Sequence, residues 1–191
     1  MTVRGRRLRE LLRRFAVAQR AVAAIEFALV FPFMLALYVG VVEGGALITV
    51  DRKVQSVAGA VGDLVARTND SLPVGRLRDY FRAASGIMIP YSSDRLVQRV
   101  VLVEVRDNLT TRVEWCQQFT NDTMSVCTNY TTGSSFTLPD NLVNLARNQY
   151  VVVSEANYSY TPIARLVIAQ PVNLFRRNHY MPRFPGKIRI Q

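Results

Sequence analysis

One carboxylate, Glu26, stands in an otherwise apolar run, and of all the side chains in this sequence its placement most demands a chemical role. Residues Phe27 to Val42 carry no charge, and Val22-Ala23-Ala24-Ile25 before the acid are small or apolar. A charged side chain at the centre of a bilayer costs about 2.5 to 3.5 kcal/mol, and less near an interface, so an acid here normally has a partner. Two readings compete. In one, Glu26 lies among headgroups, hydrated or paired with Arg20. In the other, hydrolysis between Ala21 and Val22 frees an amine at Val22 and makes Glu26 the fifth residue of the product. An α-amino group and a carboxylate in a medium of low dielectric attract strongly enough to set register between neighbouring subunits.

Little else in the chain is equipped for chemistry. It has no Gly-rich phosphate loop, no His-Glu-x-x-His and no Cys-x-x-Cys. The one histidine, His179, sits between Asn178 and Tyr180 in a basic stretch, away from any nucleophile constellation. Glu104, Asp107 and Glu114 read as strand-edge charges. The sequence argues against an enzyme and calls for no cofactor. Cys116 and Cys127 are the only cysteines. In an oxidising compartment they form a disulfide worth about 2 to 3 kcal/mol for a loop of this size, the alternative being two free thiols. They are too few to hold a metal with His179 so distant.

The element that positions Glu26 is a long apolar helix. Counted at 1.5 Å per residue from Val22 to about Val50, it exceeds the roughly 30 Å of a bilayer's hydrocarbon. The apolar run is too long for a secretory h-region and reads as an anchor. Pro32 lies inside it and predicts a kink, because it removes the bond to the Ala28 carbonyl. Gly40, Gly44 and Gly45 offer a small-residue surface for close helix approach. Glu43 falls near the opposite interface and reads as hydrated. Beyond the span an apolar stripe, Val50, Val54, Val57, Val61, Leu64 and Val65, continues the helix to about Arg67. The domain reading is a basic leader at 1–21, a transmembrane helix at 22–50, its amphipathic continuation at 51–67 and a head at 68–191.

The head begins with a helix from Ser71 and Pro73 to about Ala84, stopped by Gly86, with Leu77, Tyr80 and Phe81 facing the core. Leu96 to Val105 reads as a strand, Arg106-Asp107-Asn108 as a turn, and Thr110 to Gln117 as the returning strand with Val113 and Trp115 on one face. Thr120 to Ser135 is polar and reads as an exposed loop, followed by a short helix after Leu138-Pro139-Asp140 through Ala146. Tyr150 to Tyr158 is another strand, and Leu166 to Ile168 or Phe175 to Tyr180 supplies a fourth. Helices first and strands later give an α+β class, with a small antiparallel sheet laid on a long N-terminal spine helix.

The formal charge of +10 is unevenly spread. Seven arginines and one glutamate lie in residues 1 to 20. Such a cluster before an apolar helix predicts a cytoplasmic N-terminus and an exported head. Beyond the leader 17 basic and 13 acidic residues remain, too mild an excess to point to nucleic acid. No acid follows Glu155, whereas Arg176, Arg177, Arg183, Lys187 and Arg189 do. That segment reads as a solvated basic tail, or as a contact for an acidic partner subunit or an anionic surface. Asn69, Asn108, Asn121, Asn129 and Asn157 begin Asn-x-Ser/Thr sequons, which matter only in a eukaryotic secretory chain.

The basic leader, the small residue, Ala24-Ile25-Glu26-Phe27-Ala28-Leu29-Val30-Phe31-Pro32 and Gly40-Val41-Val42-Glu43-Gly44-Gly45 together resemble the TadE-like minor pilins, or pseudopilins, of the tight-adherence (Tad, type IVc) pilus system. The resemblance covers roughly residues 13 to 50, with Tyr158-Ser159-Tyr160-Thr161-Pro162 a faint later echo. It implies a pilin-like fold and cleavage by a prepilin peptidase between Ala21 and Val22. It also implies a role for Glu26 in processing or assembly. Ala21 stands where the family more often has glycine. The implied partners are inner-membrane lipid, the peptidase, other pilin or pseudopilin subunits and the assembly platform. The implied location is a bacterial inner membrane crossed once, with the head periplasmic or carried into an extracellular filament used for adhesion. The alternative is an uncleaved, signal-anchored membrane protein with an exported binding module.

Overall fold

The computed structural model describes residues 19–162 and 168–191, with side chains from Val22 onward. The basic leader therefore lies almost wholly outside the described residues, as do Leu166 and Val167 of one strand candidate. The chain divides into two compact units. One comprises Met1–Gly45 with Pro162–Ala169 and the other, the head, Ala46–Thr161 with Gln170–Gln191.

The first helix, α1, is one element from Gln19 to Ala66, uninterrupted by Pro32. In the head its residues Val50, Val54, Val57, Ala58, Val61, Val65 and Ala66 are buried, at 3% exposure or less. Their spacing of three and four is that of a single helical face. Leu64 is only partly buried, and the stripe turns through Val61 to Val65. The helix ends at Ala66, and Asp70 beyond it takes a left-handed φ of 57°. Ser71–Leu72 (β1) follows, in place of the predicted helix start. Pro73, whose fixed φ suits a helix entry, then opens α2, Val74–Ser85, capped by Gly86. Leu77 and Phe81 are fully buried and Tyr80 partly so, as the spacing predicts.

The main sheet is antiparallel, in the order β4-β3-β2-β5-β6. Its strands are Leu96–Val105 (β2), Thr111–Thr120 (β3), Thr123–Val126 (β4), Gln149–Tyr160 (β5) and Val172–Tyr180 (β6). A short helix, α3 (Asp140–Leu145), precedes β5, and Arg189–Ile190 (β7) pairs in parallel with β1. The α+β class is as the sequence predicts, and the strand expected at Phe175 to Tyr180 lies within β6.

Two local readings are corrected. Val113 and Trp115 do not share a face. The register shifts between Leu102 and Val103, so that Leu102 faces Trp115 while Val103 faces Val113. The bulge at Glu114 sends Val113 to one side of the sheet and Trp115 to the other. The stretch after Thr120 is not all loop either. Asn121 and Asp122 both have positive φ, at 48° and 59°, the backbone of a two-residue hairpin turn, and β4 returns from it.

The sheet is covered on both faces. Val100, Leu102, Val152, Ala156 and Tyr158 join α1 and α2 in one core. Val101, Val103, Val113, Val151 and Val153 form a second with Cys116, Cys127, Phe136, Leu138 and Ala146. Burial on both faces is why β2 and β5 contain continuous apolar runs where one-sided strands would alternate.

β6 and the residues after it run along α1. The Arg176 guanidinium lies 2.5 Å from Asp51, the Gln55 and Asn178 amides are 2.8 Å apart, and the Tyr180 hydroxyl donates to the Gly59 carbonyl at 3.1 Å. Arg183 reaches Asp63 at 3.5 Å and its amide donates to the Ala66 carbonyl at 2.8 Å. The approach is close at Gly62, where a Cβ would lie 2.4 Å from the Tyr180 ring and 2.9 Å from Ser154 Cβ.

Candidate assembly helix

The part of α1 before Gly45 presents apolar side chains outward. Ile25, Phe27, Leu29, Phe33, Met34, Leu37, Tyr38 and Val41 are each more than 60% exposed. A soluble surface rarely tolerates so continuous an apolar patch. By length and composition the helix is able to cross a membrane. Phe27 and Phe31, one turn apart, meet at a tilt of 38° with 5.5 Å between ring centroids.

Glu26 is exposed on this surface, and so is Val22. Four residues separate them, so helix geometry places both on one face about 6 Å apart along the axis. An amine freed at Val22 would therefore lie one turn from the acid, on a surface otherwise made of hydrocarbon. The Ala21 side chain lies outside the described residues.

Residues 21–62 match the family model of TadE-like proteins. No curated protein and no solved structure matches the chain. The match overlaps the resemblance read in residues 13 to 50 and names the same TadE-like family. It runs from the apolar part of α1 through the stripe Val50–Val61 that packs in the head, and it ends at Gly62, the residue of closest approach.

Glu43, read as hydrated, is instead 5% exposed, and its Oε2 accepts from the Ile168 amide at 3.2 Å. The sequence places Glu43 and Ile168 far apart, so only folding shows that they meet.

In the head the sequence missed Glu155, which is 2% exposed. Arg177 holds it through Nε at 2.8 Å and Nη2 at 2.7 Å, and the Tyr130 hydroxyl donates to the same oxygen at 2.9 Å. The Arg177 guanidinium also lies 5.3 Å from the Phe136 ring centre and 5.5 Å from that of Phe175. Burial and then the Glu155 charge raise the Tyr130 pKa. Burial, followed by the Arg177 charge, lowers that of His179. A carboxylate in an otherwise apolar strand, with a basic strand later in the chain, was the available signal.

Much of the basic C-terminal segment is folded onto the head and is not a free tail. Arg176, Arg177, Arg183 and Lys187 pair within the head with Asp51, Glu155, Asp63 and Glu114. These charges fasten the last strands to α1 and to the sheet.

Cys116 and Cys127 are bonded, with Cα atoms 5.5 Å apart. The bond ties β3 to the chain just after β4 and lies in the second core. Replacing both cysteines by serine is expected to lower stability by about 2 to 3 kcal/mol through the freer unfolded chain. Denaturant titration of the detergent-solubilised protein checks this, and an unchanged midpoint would show that the hairpin holds itself.

Proposed function

We propose that the protein is a pilin-like structural subunit, a minor pilin or pseudopilin, that serves assembly or initiation of a Tad-type pilus in surface attachment. The observation that carries the reading is the exposed apolar face of α1 bearing Val22 and Glu26 one turn apart within the TadE-like segment. A prepilin peptidase cuts between Ala21 and Val22. Glu26 then pairs with the new amine, most usefully that of a neighbouring subunit, because a carboxylate in hydrocarbon gains most from a cation it cannot reach alone. Pro32 supplies a bend or local loosening that helix packing can use. The leader stays cytoplasmic, α1 crosses the inner membrane and the head is exported, following the asymmetry of basic charge. The partners are lipid, the peptidase, other pilin subunits and the assembly platform.

Mass spectrometry of the protein from membranes is expected to find an N-terminus at Val22. Glu26→Ala should insert as well as the native chain, or better, while piliation falls. An intact leader in cells that possess the peptidase would overturn the proposal and leave an uncleaved, signal-anchored protein.

A further inference from the structure

We propose that the end of the head at which α1 enters it docks on the anionic surface of the bilayer, through Ile89, Phe175, Arg52, Lys53, Arg95 and Arg176. This inference rests on the reading of α1 as a membrane span.

The height of the rim is fixed from within the head. Lys53 donates to the carbonyls of Ile87 and Ile89 at 2.7 and 2.8 Å, tying the turn after α2 to α1 about two helical turns beyond Ala46. The Ile89 side chain is left 72% exposed, more than any other large hydrophobic residue among those described in the head. Arg176, paired with Asp51, brings the start of β6 to the same height, with Phe175 beside it 42% exposed. Arg95, at the start of β2, is exposed and donates to the Thr161 hydroxyl, where β5 has just ended. Tyr91, partly exposed, meets the buried Tyr160 edge to face here at 6.3 Å, and a tyrosine with an accessible edge is favoured at the headgroup level.

The charge at this end is one-sided. Arg52, Lys53 and Arg95 have no carboxylate partner among the described residues, whereas Asp51 is paired with Arg176 and Asp122 with Arg82 at 2.6 Å. Asp94, also exposed, accepts from Ser92. Exposed apolar tips between cations that keep their charge in water are what a surface of anionic headgroups over hydrocarbon accommodates. No other partner follows from the fold as directly, because the apolar helix leaves the head at this end.

The test uses the full chain in vesicles of phosphatidylcholine and phosphatidylglycerol, with a spin label on a single introduced cysteine, since the native pair is bonded. Labels at Ile89→Cys and Phe175→Cys should collide with oxygen more than with an aqueous nickel chelate. A label at Leu145→Cys, 69% exposed just before β5 at the opposite end, should do the reverse. Adding Arg52→Gln should lower the ratio of docked to undocked heads about fivefold. A label at Leu35→Cys reports on the span separately. If residues 89 and 175 are as open to nickel as 145 while 35 lies in lipid, the docking rim is refuted and the span stands. If 35 is also in water, the spanning reading falls and the rim with it. Shielding of 89 that rises with the protein-to-lipid ratio would make the occupant a second copy and overturn the lipid assignment.

Discussion

Replacing Arg177 by alanine is expected to remove about 3 to 5 kcal/mol of stability from the head, the usual range when one partner of a buried ion pair is deleted. The asymmetry of the pair makes this the damaging side. Arg177 is one-third exposed and can turn to water, but Glu155 is 2% exposed and cannot. Without the guanidinium, Glu155 keeps only the Tyr130 hydroxyl and Arg99, whose nearest nitrogen is 3.9 Å away. Denaturant titrations of Arg177→Ala and Arg177→Met check this. A deficit that methionine does not recover is the uncompensated charge, whereas recovery by methionine would mean that lost packing against Phe136 and Phe175 is what the alanine substitution removes.

Gly62→Val should destabilise by about 3 kcal/mol, the upper end of the range for overpacking a filled interior. A Cβ alone would meet the Tyr180 ring at 2.4 and 2.6 Å and Ser154 Cβ at 2.9 Å. The ring can swing only by giving up its bond to the Gly59 carbonyl, and Ser154 sits on β5, which is paired on both sides by β2 and β6. Gly59 is the control, one turn away on the same helix. A Cβ there has only ordinary contacts at 3.5 Å, with Asn178 and Tyr180. Gly59→Ala is therefore expected to gain up to about 1 kcal/mol from helix propensity. Opposite signs at two glycines three residues apart, read by thermal melts in detergent, are the outcome to look for. If both substitutions stabilise, α1 does not approach the sheet as closely as described.

The sequence makes some elements plain because their signals are local. The valine stripe of α1 needs no knowledge of what covers it, and β2 and β5 announce themselves by runs of β-branched residues. The TadE-like match rests on residues that are contiguous in the chain. What the sequence concealed depends on pairing across distance. The bulge at Glu114 exists only in relation to β2, so nothing in Val113-Glu114-Trp115 reveals that the two apolar residues part. The second core is anchored by Phe136 and Leu138, which follow directly on the polar stretch read as a loop and make too short an apolar run to announce a buried face. Glu43 and Glu155 are each covered by residues distant in sequence. The basic side chains after Glu155 look free until their acids, on α1, β3 and β5, are brought beside them.

The contacts between α1 and the chain after Asn173 amount to two rulers laid side by side. Partners advance four residues on the helix, from Asp51 to Gln55 to Gly59, for every two on the strand, from Arg176 to Asn178 to Tyr180. Four helical residues rise about 6.0 Å and two extended ones about 6.8 Å, so the graduations nearly coincide. Divergence among descendants of this gene should then be quantised. A lone insertion within either ruler throws every later mark out of phase, while a whole graduation shifts the scale and leaves its teeth meshing.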